Sequence, residues 1–275
     1  MSIITLTTDF GTHDGYVASM KGVILGLNPQ AVIVDVSHTV EPQNVLQAAF
    51  IISTVYPYFP EGTIHLAVVD PGVGSRRKAI ILKTDTAYFA APDNGILSYI
   101  IEESGKVHGK PARQIPSTAE SRKLPPGLEA VEIGNPEYRH HPVSSTFHGR
   151  DIFAPAAAHL SLGVPLHKFG DAVSQLHAFS IPRPYKNASG ELVGRVLHID
   201  HFGNLISNIR SGDLPAGTAT VGIGKHRIRG LSGFYAHTRG LSAIIVSSGY
   251  LEISLKNGSA AEFLGAKVGH EVRVE

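Results

Sequence analysis

The sequence predicts an α/β N-terminal domain, with a mostly parallel sheet covered by helices, followed by a smaller all-β, barrel-like C-terminal domain. Three observations carry this. Apolar strand-like runs alternate with helix-length stretches through the first third of the chain, the order of a parallel sheet. A polar, proline-rich excursion runs from Gly105 to about Ser145. Beyond about residue 190 the alternation gives way to short β-rich segments punctuated by glycine. The expected domains are 1–181 and 191–275, joined through the linker "PRPYKNASGE" (182–191).

"IITLTTD" (3–9) reads as a strand, and "DGYVASMKGVILGL" (14–27) as a helix stopped by Asn28-Pro29, with Asp14 as its expected cap. "AVIVDVS" (31–37), "QNVLQAAFIISTVY" (43–56) and "GTIHLAVVD" (62–70) continue as strand, helix and strand. "KAIILKT" and "AYFAAP" read as a strand pair, and "GILSYIIEES" (95–104) as a helix. The excursion holds a short strand or two. "GRDIFAPAAAHLSLG" (149–163) returns as a helix, with Pro155 in its first turns and Gly163 past its end. In the second domain "LVGRVLHIDHFGNLISNI", "GTATVGIGKHRIRGL", "LSAIIVSSGYLEISLKN" and "KVGHEVRVE" read as strands with no helix between them.

The chain has 275 residues, with 24 Lys+Arg against 23 Asp+Glu, so no global field points to nucleic acid or an anionic membrane as partner. A small-molecule substrate is the expectation. Acidic residues come too early for a secretory signal, and no apolar run spans a bilayer, so a cytoplasmic location is expected. The absence of cysteine excludes disulfides, zinc–thiolate sites and thiol nucleophiles.

Ligands of open α/β sheets sit beyond the carboxyl ends of the strands, where Asp9 and Asp70 each close an apolar strand. A turn carboxylate is the structural alternative for both. Gly72 and Gly74 in "DPGVG" would let backbone approach a ligand, but they match no Walker or dinucleotide fingerprint. His148 precedes a helix start and can polarise a water. The neighbouring Arg150 and Asp151 read as a structural ion pair or cap. Asp200, Phe202 and Asn204 end another strand, as a site for a heterocycle edge or simply a hairpin turn.

"TTDFGTHDGYVASMKGVI", "DPGVGSRR", "APDNGILS", "STFHGRDIFAPAAAHL", "IDHFGNLISNI" and "SSGYLEI", in this order, resemble the S-adenosylmethionine hydroxide adenosyltransferases, relatives of the fluorinating and chlorinating adenosyl enzymes. The resemblance covers nearly the whole chain apart from the polar excursion. It implies hydrolysis of S-adenosylmethionine to adenosine and methionine by water or hydroxide attacking the ribose 5′-carbon. No cofactor and no metal are implied. It also implies a homotrimer with sites between subunits. The family's Asp-Arg-His set carries over to Asp70, Arg77 and His148. Asp9 matches the ribose-diol carboxylate, Asp200 the group holding the methionine amine, Asn204 and Tyr235 adenine contacts, and Ser247 and Ser248 the methionine end. Glu252 and Leu255 stand where further adenosine contacts are expected.

Two departures from the halogenating relatives favour water over halide. Those relatives carry an uncharged residue where Asp70 stands, and a buried carboxylate repels an anion by on the order of several kcal/mol. They also carry an extra loop where "KAIILKTDTAYFAAPDNG" runs straight through. His237 stands where the family more often has an acid. The competing functions are a non-catalytic adenosine or S-adenosylmethionine sensor and a halide-using adenosyl transferase. A metal-dependent hydrolase built on Asp9, Asp14 and His148 is more distant, because their spacing matches no standard metal motif.

Overall fold

The computed structural model describes residues 2–105, 113–215, 217, 219–235 and 240–275. The chain divides into two compact units, Met1–His108 with Thr118–Phe179, and Gly109–Ser117 with Ser180–Glu275.

The first unit opens with β1 (Ile3–Thr8), α1 (Tyr16–Leu27), β2 (Val32–Ser37), α2 (Val45–Val55) and β3 (Thr63–Val68). β4 (Ala79–Lys83) and β5 (Ala87–Pro92) form the expected strand pair, which is antiparallel, and α3 (Ser98–Gly105) follows. β6 (Glu120–Lys123), β7 (Glu129–Glu132), α4 (Ala154–Ser161) and β8 (Gln175–Ala178) complete the unit. Its six-stranded sheet has the order β2-β1-β3-β5-β4-β7, parallel from β2 through β5 and antiparallel beyond.

Every residue of β3 is buried, as a central parallel strand with both faces covered requires. On one face Val17, Met20 and Ile24 of α1 pack in the same core as Ala154, Ala156, Ala157 and Ala158 of α4, the small side chains bringing the two helices close. On the other, α2 packs against α3, where the Phe50 and Tyr99 rings meet edge to face at 6.0 Å. The chain leaves β1 to form β2 on one side, then crosses to form β3 on the other. The switch point of the sheet therefore lies between β1 and β3, the place where sheets of this kind bind ligands at the carboxyl ends of their strands.

The second unit is antiparallel throughout. β9 (Tyr185–Lys186), β10 (Leu192–Ile199), β11 (Leu205–Arg210), β12 (Thr220–Ile223), β13 (His226–Arg229), β14 (Leu241–Ile245), β15 (Tyr250–Leu255) and β16 (Glu271–Val274) form one sheet, ordered β13-β12-β16-β10-β11-β15-β14 with β9 on β10. Its ends, β13 and β14, approach each other, giving a nearly closed barrel around Val196, Leu205, Ile209, Leu251, Ile253 and Val272.

Four local expectations need correction. α5 (Ala260–Leu264) interrupts the helix-free reading of the barrel. Its signals are short: Ser259 Oγ accepts from the Glu262 amide, an S-x-x-E cap, and Gly265 closes the helix at φ 59°. α1 begins after Gly15 with no side-chain cap, so Asp14 does not make the cap expected of it. The linker carries β9, and the segment after Phe147 begins with one π-helical turn, Gly149–Phe153, before α4. Among the described residues no helix is long and apolar enough to cross a membrane.

Candidate functional site

Asp70 lies two residues past β3, and the "DPGVG" turn brings Arg77 back onto it. Arg77 Nε lies 3.0 Å from Asp70 Oδ1 and 2.9 Å from Oδ2, and Nη2 lies 2.5 Å from Oδ2. The Arg77 side chain keeps 10% of its exposure and the Asp70 side chain 4%, so water screens the pair little. The Arg77 guanidinium also sits 5.3 Å from the centroid of the Phe153 ring.

The same Nη2 reaches His148 Nδ1 at 2.7 Å. A guanidinium has donors and no acceptor, so the imidazole nitrogen accepts this bond and its proton sits on Nε2. Burial, and next the Arg77 charge, hold the His148 pKa below the ordinary imidazole value, which keeps the ring neutral. Asp70, Arg77 and His148 thus form one continuous chain of hydrogen bonds across 78 sequence positions.

The two loops that carry this chain are fitted to one another. Gly74 has φ 77°, and a Cβ there would collide with the Ser145 carbonyl oxygen. Gly72 faces Arg77 and Asp70 themselves, with the Arg77 Cγ 3.3 Å from where its Cβ would stand. The glycines therefore serve the close packing of the two loops. Asp151 is fully buried and takes the Ser144 amide at 2.8 Å on Oδ2 and Arg150 Nε at 2.6 Å on Oδ1. The pair is structural, as expected, and pins the segment that leads into His148.

Asp9 follows β1, whose Thr8 pairs with Val68, so the two aspartates flank the switch point on adjacent strands. Asp9 Oδ2 accepts from the Gln43 amide at 2.8 Å, and Gln43 is held at φ 65°, a conformation costly for a side chain of its kind. Oδ1 makes none of the described hydrogen bonds within the chain.

In the barrel unit Asp200 closes the β10–β11 turn. Its Oδ1 accepts from the amides of Phe202 and Asn204, each at 2.9 Å, and its Oδ2 from Asn204 Nδ2 at 2.9 Å. Tyr235 donates its hydroxyl to Glu252 Oε1 at 2.8 Å. Burial pushes the Glu252 carboxyl up from its ordinary value, with Asp200 adding to the rise, and the Tyr235 phenol is pushed up to about 12 by burial and by Glu252. These four residues form a second polar cluster. Phe202 is exposed beside it. Ser247 and Ser248 lie in the β14–β15 turn, and Leu255 ends β15 with its side chain against the barrel core. His237 lies outside the described residues.

Three contributors were not singled out from sequence: Phe153 over the guanidinium, Gln43 beneath Asp9, and Asn94, whose amide touches the turn before Asp70. Asn94 left a trace in the string "APDNGILS" and Phe153 in "STFHGRDIFAPAAAHL". Among the described residues no cluster of three or more His, Asp or Glu could hold a metal ion, and Asp9, Asp14 and His148 form none.

The chain matches the family models described as SAM hydroxide adenosyltransferase N-terminal domain, over residues 4–170, and SAM hydroxide adenosyltransferase C-terminal domain, over residues 194–273. A relative from Salinispora tropica named (R)-S-adenosyl-L-methionine hydrolase is 35% identical, the match covering 98% of this chain and 97% of the relative. A fluorinase from Nocardia brasiliensis is 30% identical, over 99% of this chain and 96% of the enzyme. Among solved structures, an uncharacterised conserved protein from Thermotoga maritima superposes with a TM-score of 0.84 at 34% identity, covering 98% of this chain and 99% of that one.

Proposed function

The chain belongs to the SAM hydroxide adenosyltransferase family, and from that premise we propose that it hydrolyses S-adenosyl-L-methionine to adenosine and L-methionine, with Asp70, Arg77 and His148 preparing the water. The observation that carries the reading is the hydrogen-bonded chain of these three groups at the carboxyl end of a central parallel strand.

The chemistry asks little of the leaving group. Sulfur departs from a sulfonium as a neutral thioether, so no acid is needed to protonate it. The barrier lies with the nucleophile, since water is weak and hydroxide scarce near neutrality. Arg77 stabilises negative charge growing on the attacking oxygen and cannot itself take a proton. His148 has its Nδ1 occupied by Arg77, so the nitrogen it can turn to a water is Nε2–H, a donor. The proton acceptor is then Asp70. Its Oδ1 receives one hydrogen bond, from Arg77 Nε, and keeps lone-pair capacity for a water. Carboxylates are weak bases, so the proton leaves the water as the carbon–oxygen bond forms and not before. The oxygen bonds to the 5′-carbon, the carbon–sulfur bond breaks toward methionine, and the proton ends on Asp70.

For substrate binding we assign Asp9 to the ribose diol, with Asp200, Asn204, Tyr235, Ser247, Ser248, Glu252 and Leu255 holding the methionine and adenine ends. What supports this is the order of the family strings together with the free Oδ1 of Asp9 and the Asp200–Asn204 and Tyr235–Glu252 pairs. The assembly we propose is a homotrimer in the cytoplasm, supported by the family resemblance.

The test is incubation of the purified protein with S-adenosyl-L-methionine in heavy-oxygen water. Adenosine carrying the label at its 5′-oxygen is expected. Absence of adenosine, or an unlabelled 5′-oxygen, overturns the reading.

A further inference from the structure

We infer that Asn94 is a positioning residue for the reaction, setting the Asp70 carboxylate by holding the peptide group that precedes it; in this it rests on the hydrolase reading of the site. Asn94 Nδ2 donates to the Val69 carbonyl oxygen at 2.9 Å. Val69 is fully buried and lies one residue beyond β3, whose ladder with β5 ends at the Leu66–Ala90 pair. A buried carbonyl needs a donor, and the Asn94 amide supplies it.

The consequence reaches Asp70 through covalent geometry. The Val69 carbonyl and the Asp70 amide share one rigid plane, so fixing the oxygen fixes the entry of the chain into Asp70. On the far side the Asp70 carbonyl accepts from the Val73 amide at 3.2 Å. The backbone of Asp70 is therefore held on both sides, and its carboxylate is held by Arg77.

Asn94 is itself well fixed. Its Oδ1 accepts from the Ile96 amide at 3.2 Å, and its own amide donates to the Pro92 carbonyl at 3.0 Å. The next residue, Gly95, has φ 99° and lies so close to the Phe179 ring that a Cβ would collide with it. An anchor locked by its surroundings can hold a catalytic carboxylate within the few tenths of an ångström that in-line attack tolerates.

The experiment compares wild type with Asn94→Ala, Asn94→Asp and a matched control, Asn28→Ala. Asn28 is buried and likewise held at both ends of its amide, Oδ1 accepting from the Gln30 amide at 3.1 Å and Nδ2 donating to the Ser161 side-chain hydroxyl at 2.8 Å, but it lies at the C-terminal end of α1, away from Asp70. Both Asn94 variants lose the donor to Val69, so each is expected to lower kcat by about tenfold or more with KM nearly unchanged. Nitrogen-15 imidazole spectra are expected to move His148 from the Nε2–H form toward a mixture in both. Asn28→Ala is expected to lower thermal stability and change neither. A wild-type kcat and imidazole signature in either Asn94 variant, or an equal loss of kcat in Asn28→Ala, overturns the inference. Absence of adenosine from the wild-type enzyme strikes the hydrolase reading instead, and the imidazole signature alone then judges Asn94.

Discussion

In the α/β unit a guanidinium bridges a carboxylate and an imidazole, so a permanent cation occupies the centre of the polar cluster. In the barrel unit the cluster is built on two carboxylates, Asp200 and Glu252, and the described hydrogen bonds tie them to an amide and a phenol. The first arrangement favours charge that develops on an attacking oxygen. The second favours a ligand that already carries positive charge or N–H donors, as a sulfonium amino acid joined to an adenine does. Rate is therefore expected to depend on the first region and affinity on the second.

The largest expected effect lies in the α/β unit. Arg77→Ala removes the group that touches both partners, and kcat is expected to fall by about a thousandfold with KM within a few-fold. Arg77→Lys keeps the charge but has no planar fork to span Asp70 and His148, so an intermediate loss is expected. Steady-state kinetics on both variants decide whether the cation acts in the transition state; a change in KM alone would move Arg77 to a binding role.

A smaller effect belongs to the barrel. Glu252 titrates above the ordinary carboxylate range because burial disfavours its charge. As pH falls through that raised value the cluster loses an anion, and KM for the cationic substrate is expected to rise. Glu252→Gln keeps an acceptor for the Tyr235 hydroxyl and removes the charge. It is expected to raise KM by about tenfold, flatten its pH dependence and leave kcat within about twofold. Equal pH dependence in the variant would remove Glu252 from the substrate's surroundings.

The smallest effect touches neither cluster. His65 lies on β3 with its Nδ1 2.8 Å from Thr5 Oγ1 and its ring stacked on Phe89 at 5.0 Å, and burial pushes its pKa down to about 4. The unfolded chain takes up this proton near pH 6.5 and the folded chain only near 4, so stability is lost as pH falls through that window. Linkage puts the loss at about 3 kcal/mol at most. Urea unfolding at pH 7 and pH 4 is expected to show a smaller drop for His65→Gln than for wild type, with KM and kcat near pH 7 little changed. Parallel drops would mean that His65 is protonated in the folded protein.

The order of the main elements was legible because it is written in local periodicity. "GTIHLAVVD" and "AVIVDVS" are apolar runs with turn residues at their ends, and the strand pair at 78–92 is a plain alternation of runs and a turn. The misses share a physical cause. α5 is a single turn with too few residues to display a period, and β9 is a pair of residues that gains strand geometry only from its partner.

The site was legible as a list of residues but not as a geometry. Asp70 and His148 stand far apart in sequence, and no spacing rule reports that one guanidinium will bridge them. Asp9 and Asp70 were found because strand ends in an α/β sheet converge by topology. Asn94 escaped because an amide bonded to a backbone carbonyl leaves no pattern in side-chain chemistry.

The most direct measurement is turnover and substrate affinity of Asp70→Asn beside wild type, by product formation and calorimetry. The asparagine keeps the shape and an oxygen for Arg77 but cannot take the water's proton. Turnover is predicted to fall at least about a thousandfold with affinity within about threefold. Turnover close to wild type in Asp70→Asn would contradict the assignment of Asp70 as the proton acceptor.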